Sequence, residues 1–267
     1  MEETMDLGLE GKVALLTGTA SQIGFGAAIS LALAKEGCDI ISTDKELEGA
    51  ERTAADVKTL GRKAIALKAD VTNGAEVDKM VKAALKEFGR IDISLNCAGA
   101  ALARGPFHEL EYGDWEKDIN LNLYGTMNCV RAILPGMIEC KYGKIINFSS
   151  VSGRIAGPAG GIPYAVSKGG VIILTMGVAK YVGESGINVN AIAPGPVVTN
   201  FPGRETPFTP SELEERRKQA EQQAERIPTR RPTTVPDIVN MAVFLASDVS
   251  KQITGQTISV DGGLFMF

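Results

Sequence analysis

Two hydrophobic periods alternate along the chain, and their order narrows the possible folds more than any other feature. Seven short apolar runs, KVALLT (Lys12 to Thr17), CDIIST (Cys38 to Thr43), KAIALKAD, IDISLNCAG, GKIINFSS, INVNAIAPG and QTISVDGG, are separated by longer stretches of helical period. A run that is apolar at every position suits a strand covered on both faces, which is the situation in a parallel sheet. Helices are expected from about Ser21 to Glu36, over KELEGAERTAADVKTLG up to Gly61, over GAEVDKMVKAALKEFG, from Asp114 to Cys140, from Pro163 to Gly183, and over PDIVNMAVFLAS. Each must carry the chain back across the sheet in the right-handed sense. The expectation is an α/β fold, one domain over residues 1–267, with a parallel seven-stranded sheet and helices on both faces.

One stretch breaks this rhythm. Thr199 to Arg231 carries prolines and then the charged run SELEERRKQAEQQAER, which reads as a lid at about 199–231 rather than as core.

Composition matters mainly for what it excludes. A formal charge of -4 with scattered Lys and Arg gives no footprint for nucleic acid. No basic and apolar signal precedes the first strand, and the apolar runs fall short of a bilayer span, so a soluble, cytoplasmic protein without a membrane partner is expected. Cys38, Cys97, Cys129 and Cys140 lack CxxC spacing and read as reduced core residues. With His108 the sole histidine, a histidine-rich zinc site cannot be built, and no metal is expected. His108 itself reads as a surface residue.

The first strand runs into TGTASQIGFG (Thr17 to Gly26). A helix starting directly after a strand offers free N–H groups and a positive dipole end to a pyrophosphate. Gly18 allows the tight turn, Gly24 brings the helix close to the sheet, and Ser21 is a plausible cap. Asp44 ends the second strand, where its carboxylate can accept hydrogen bonds from an adenosine ribose and would repel a 2′-phosphate. That favours NAD over NADP, although Lys45 next to it keeps NADP open.

YAVSK places Tyr164 and Lys168 one helical turn apart on the same face. A tyrosine with its ordinary pKa of roughly 10 is a poor base near neutrality. A neighbouring ammonium favours the phenolate, so the pair could exchange a proton with an alcohol. The same spacing is common on amphipathic helices and is not diagnostic alone.

TGTASQIG, NCAG at Asn96 to Gly99, Asn122 in INLNLYG, Ser150 in NFSSVSG, YAVSK and the PG of AIAPGPVVT occur in this order and resemble the classical short-chain dehydrogenase/reductases over essentially the whole chain. The resemblance implies a doubly wound Rossmann fold with a catalytic set of Asn122, Ser150, Tyr164 and Lys168. Ser150 would hydrogen-bond the substrate oxygen and Tyr164 would be the acid/base. Lys168 would hold the nicotinamide ribose and lower the tyrosine pKa, and Asn122 would anchor a proton-relaying water. The cofactor residues would be Gly18, Ser21, Gln22, Ile23, Gly24, Asp44, Asp70, Val71, Asn96, Ala98, Gly99, Tyr164, Lys168, Pro194, Gly195, Val197 and Thr199. Of these, Asp70 and Val71 would border the adenine, and Thr199 would meet the carboxamide.

Two positions depart from the family pattern: Gln22 stands for the middle glycine of TGxxxGxG, and Cys97 for the second asparagine of NNAG. A side chain at Gln22 is tolerable if its backbone is helical and its amide points along the diphosphate or to solvent, so Gln22→Gly should change NAD affinity only modestly.

The expected activity is NAD-dependent hydride transfer between nicotinamide and a secondary alcohol or ketone. Ala101, Leu102, Arg104, Arg154, Ile155, the glycines to Gly161 and the lid would face the substrate. Their small, apolar character suggests a compact cyclic or aliphatic alcohol, while Arg104 or Arg154 could serve an anionic one. NADPH-dependent reduction of 3-oxoacyl thioesters, and a non-catalytic nucleotide-sensing or scaffold role, stay open. The resemblance also implies a homotetramer, with the apolar end GLFMF (Gly263 to Phe267) suited to an interface or a core plug.

Overall fold

The computed structural model of the protein describes residues 5–103, 105–155, 161–199 and 208–266. Arg104, Phe267 and parts of the two expected substrate loops, 156–160 and 200–207, lie outside them. Along the chain run β1 (Val13–Thr17), α1 (Phe25–Lys35), β2 (Asp39–Asp44), α2 (Leu47–Thr59), β3 (Ala64–Lys68), α3 (Gly74–Phe88), β4 (Ile93–Asn96), α4 (Tyr112–Asp118) and α5 (Gly125–Cys140). They are followed by β5 (Gly143–Phe148), α6 (Ser152–Ile155), α7 (Gly161–Val182), β6 (Ile187–Pro194), α8 (Pro210–Gln223), α9 (Val235–Ala246) and β7 (Thr257–Val260).

The seven strands form one sheet in the order β3-β2-β1-β4-β5-β6-β7, and every pairing is parallel. Alternate residues of each strand face opposite layers. Ala14 and Leu16 of β1 pack with Ile29 and Leu33 of α1 and Ile238 and Leu245 of α9. Val13 and Leu15 pack on the other side, with Val77 and Val81 of α3 and Ile133 and Met137 of α5. This two-layer core explains why apolar residues on β1 face both layers rather than one. Strand order reverses between β1 and β4, which opens a crevice at the carboxyl ends of the strands, the place where open α/β sheets bind ligands.

Three local expectations need correction. α1 starts at Phe25, not Ser21, because residues 21–24 close a turn in which Gly24 N–H donates to Ser21 O at 2.9 Å. Ser21 is therefore no cap; the N-cap is Gly24, with no side-chain bond to the helix end. Cys38 and Cys129 are core residues, but Cys140 is exposed, lying in the last turn of α5 just before Lys141 turns left-handed (φ 51). Finally, the helix Gly161–Ser185 is long and apolar enough to cross a bilayer on length and composition, contrary to the reading from apolar runs alone. Tyr164, Lys168, Val171, Thr175 and Ala179 on it are buried, and α7 packs along β5 and β6.

The expected helix from Asp114 to Cys140 is interrupted by a π-helical segment, Ile119–Tyr124. Two side chains intrude on its backbone bonds: Asn122 Nδ2 donates to Asp118 O at 3.0 Å, and Thr126 Oγ1 to Asn122 O at 2.7 Å. Such competition for carbonyls favours local widening of a helix. In the charged stretch, α8 is a polar helix with no buried residue. It is nucleated by Thr209, whose Oγ1 accepts from Glu212 N–H while Glu212 returns a bond to Thr209 N–H.

Candidate active site

β1, β4, β5 and β6 end side by side at the crevice, and the turns that leave them form its floor. Gly18 has φ 71, and a Cβ on it would lie 2.9 Å from the backbone of Ala98; a residue with a side chain would separate the turn after β1 from the turn after β4. Thr17 Oγ1 ties the two turns by accepting Ala98 N–H at 3.1 Å. The close approach of helix to loop falls at Gly26 rather than Gly24, since a Cβ on Gly26 would strike Gly18 O. The uncapped start of α1 leaves N–H groups open to an anion. A glycine floor under an uncapped helix end fits a dinucleotide pyrophosphate.

At the end of β2, Asp44 Oδ2 accepts Ala20 N–H at 2.9 Å and Oδ1 accepts Glu46 N–H at 3.1 Å. Ile23 is exposed beside the crevice turn. Asp70 Oδ1 accepts from Thr72 N–H at 2.9 Å and Thr72 Oγ1 at 2.7 Å, which shapes the turn after β3. Val71 is buried, and its carbonyl accepts from Asn128 Nδ2 at 2.9 Å. Gln22 behaves differently from either arrangement inferred above. Its backbone lies in a turn, and its amide reaches Ala20 O, Gly49 O and Thr53 Oγ1 across to α2.

Asn96 and Asn147 are register partners on β4 and β5. The Asn96 side chain donates to Asn147 Oδ1 at 2.8 Å, and Asn147 to Thr175 Oγ1 at 2.9 Å. Through Asn147 the Asn96 side chain links the sheet to α7.

Asn122 and Lys168 converge on Gly99. A Cβ there would lie 2.7 Å from Asn122 Oδ1 and 3.1 Å from Lys168 Nζ. Asn122 is fully buried, with its amide accepting Ala100 N–H at 3.2 Å and donating to Ala100 O at 2.8 Å. Ser150 follows β5, and its Oγ accepts Ser152 N–H at 3.1 Å and shares a hydrogen bond with the Tyr164 phenol. Lys168 Nζ lies 5.8 Å from the Tyr164 ring centroid and donates to Phe148 O at 2.8 Å.

Burial decides the electrostatics. It pushes Tyr164 up to about 12, against the lowering effect of the Ser150 hydrogen bond and with a further rise from Asp118. Burial also pulls Lys168 down to about 8, with Cys97 and Asp118 acting the other way. Cys97 is itself raised, chiefly by burial and against the lowering effect of Lys168.

At the far end, Pro194 closes β6 and its carbonyl accepts Val151 N–H at 3.3 Å. Gly195 N–H donates to Val260 O at 3.0 Å, Val197 bridges to Thr233, and Thr199 is buried. Arg154, offered above for an anionic substrate, is turned away: its guanidinium bonds Thr257 O at 2.5 Å and Ser259 Oγ at 3.4 Å on β7. Ala101 is buried, Leu102 is partly exposed, and His108 is a surface residue, 82 % exposed.

Several contributors carried no distinctive sequence signal. Asp118 is fully buried and accepts Leu102 N–H at 2.9 Å and Ala103 N–H at 3.1 Å, so it holds the loop after β4 beside Tyr164. Its one visible sign was its position one turn before Asn122. Thr17, Asn147 and Gly26 stood inside quoted motifs but were not picked out.

A family model described as Enoyl-(Acyl carrier protein) reductase matches residues 18–265. The chain is 36% identical over 261 residues to the (2S)-[(R)-hydroxy(phenyl)methyl]succinyl-CoA dehydrogenase subunit BbsD of Thauera aromatica, covering 98% of this chain and 99% of that protein. It is 37% identical over 256 residues to the 3-oxoacyl-[acyl-carrier-protein] reductase FabG of Staphylococcus aureus, covering 96% and 98%. Levodione reductase has the same fold, with a TM-score of 0.85 at 32% identity over 95% of this chain and 97% of that one. With its parallel sheet, its glycine-floored crevice and its Ser150, Tyr164 and Lys168 gathered at one point, the chain belongs to the classical short-chain dehydrogenase/reductases, a family of oxidoreductases.

Proposed function

We propose that the protein is an NAD-dependent dehydrogenase/reductase that interconverts a secondary alcohol and its ketone on a small cyclic or aliphatic skeleton. The observation that carries this reading is the hydrogen bond between Ser150 and Tyr164 with the Lys168 ammonium one turn away. Bound nicotinamide supplies the hydride acceptor or donor. Ser150 Oγ and the Tyr164 hydroxyl together hold the substrate oxygen. In oxidation, Tyr164 takes the proton from that oxygen; in reduction it returns one. Lys168 lowers the cost of the phenolate and orients the nicotinamide ribose, while Asn122 fixes the floor beneath both.

For the cofactor, the uncapped end of α1 receives the pyrophosphate, Asp44 the adenosine ribose, Asp70 and Val71 the adenine, and Thr199 the carboxamide. The choice of NAD rests on the Asp44 carboxylate beside the loop, which would repel a 2′-phosphate. Residues 199–231 act as the substrate lid, consistent with α8 having no residue in the core. A cytoplasmic homotetramer completes the proposal, supported by the exposed Ile173 and Tyr181 along α7.

A second reading, reduction of 3-oxoacyl thioesters, draws on the similarity to FabG and to a hydroxyacyl-CoA dehydrogenase subunit. Purified protein is incubated with NAD and cyclic, aliphatic, steroid and 3-hydroxyacyl-CoA alcohols, and with NADH or NADPH and 3-oxoacyl-CoA, beside a Tyr164→Phe control. Turnover of a simple alcohol with NAD supports the first reading. Turnover confined to the thioesters replaces it with the second.

A further inference from the structure

The loop that receives the cofactor is fastened from two sides at a single residue, Ala20. On one side Asp44 Oδ2 accepts the Ala20 N–H at 2.9 Å, while Oδ1 accepts the Glu46 N–H at 3.1 Å. Two backbone donors that an anion at this corner would use are thereby engaged by a carboxylate. On the other side, Gln22 Nε2 lies 3.1 Å from Ala20 O, 3.3 Å from Gly49 O and 3.1 Å from Thr53 Oγ1.

Chemistry fixes which end of the amide faces this notch. Both carbonyls are acceptors, and the Thr53 hydroxyl proton already lies on Thr19 O at 2.8 Å. Only the NH₂ end of Gln22 can face three acceptors, which share its two N–H donors. The loop leans directly on α2 here, since a Cβ on Gly49 would lie 2.5 Å from Ala20 Cβ and 2.6 Å from Ala20 Cα. Thr19 Oγ1 joins the same network through Ser42 Oγ at 2.8 Å and Thr43 O at 3.1 Å.

The two peptide units flanking Ala20 are therefore both held, one by its N–H and the other by its C=O. A trans peptide is planar, so turning Ala20 O towards α2 sends the Ser21 N–H the opposite way. A glycine at position 22 would leave that peptide free to rotate.

We propose that Gln22 is a positioning residue for coenzyme choice: its amide locks the Ala20–Ser21 peptide against α2, which keeps the Ala20 N–H on Asp44 and withholds it from an adenosine 2′-phosphate. The proposal rests on the NAD reading above and deepens it. It also gives the departure from the family's glycine pattern a function at the cofactor end.

The test is calorimetric titration of the full chain with NAD and with NADP for the wild-type protein, Gln22→Gly and Gln22→Met. Methionine has a similar reach but no amide, so it separates filled volume from the hydrogen-bonded lock. Losing one such lock corresponds to about fivefold in affinity, so both variants should bind NADP about fivefold more tightly while NAD affinity stays within about threefold. If either variant keeps the wild-type NADP affinity, the lock is overturned. Tighter wild-type binding of NADP than of NAD would instead overturn the NAD reading, and the change from wild type to variants would still report on Gln22.

Discussion

Tyr164 and Lys168 are perturbed in opposite directions by one cause, exclusion of water from their charged forms. In the cofactor-free site the phenol is held protonated and the ammonium is destabilised. Reduction needs the phenol and oxidation the phenolate, so oxidation should accelerate with rising pH while reduction slows, as paired rate profiles would show. Tyr164→Phe should cut both directions by about three orders of magnitude and leave NAD binding near wild type, measured by steady-state rates beside calorimetry.

Lys168 also sets a test through stability. Its pKa falls from 10.5 to about 8 on folding, which corresponds to about 3 kcal/mol between its protonation states. Below about pH 8 the lysine is charged in both folded and unfolded chains, and the full burial penalty applies. Above 10.5 it is neutral in both, and the penalty vanishes. Cofactor-free Lys168→Met should therefore melt higher than wild type at pH 7, with the gap closing towards pH 10. Equal melting temperatures at pH 7 would contradict a costly buried charge.

At the scale of elements, the site depends on how closely α1, α2 and the π-helical segment approach the crevice. Gly26→Ala would push α1 away from Gly18 O; the expected cost is about 2 kcal/mol in chemical denaturation, with weaker NAD binding because the helix end moves. Asn122→Ala would leave the buried N–H and C=O of Ala100 without partners. About 2 kcal/mol of stability should go, together with most of the turnover, since the loop from Ala100 to Ala103 is held between Asn122 and Asp118. Denaturation midpoints and rates measured on the same samples separate the two effects.

For the whole molecule, Ile173 and Tyr181 stand 67 % and 78 % exposed on α7, the helix that also carries Tyr164 and Lys168, where the proposed tetramer would bury them. Ile173→Asp should dissociate the proposed tetramer in light scattering while leaving the circular dichroism of the fold intact. A wild-type monomer would remove this part of the proposal.

Much of the architecture was legible in the chain because it follows from local period. Short, largely apolar runs from KVALLT to INVNAIAPG pointed to strands buried on both faces, and the helices between them to crossovers. α3 follows the expected segment GAEVDKMVKAALKEFG, capped by Asn73, whose side chain accepts from Ala75 and Glu76 N–H, and ended by Gly89 at φ 76. TGTASQIG, NCAG and Ser150 indicated the site for the same reason, since each follows the end of a strand, while Asn122 and YAVSK lie on the helical segments between strands.

Contacts between distant segments had no such signature. Nothing near Asn96 in sequence foretells that its side chain turns inward to Asn147, 51 positions on. Arg154 reads as a free charge until β7 takes its guanidinium, and Asp118 looks like one helical acid among several until the loop after β4 closes over it. Gln22 is the clearest case. The sequence by itself determined that a side chain stands where the pattern has glycine, whereas only the packing of α2 through Gly49 decided where the amide goes, because a hydrogen bond is set by the partners that the fold brings within 3 Å or so and not by neighbours along the chain.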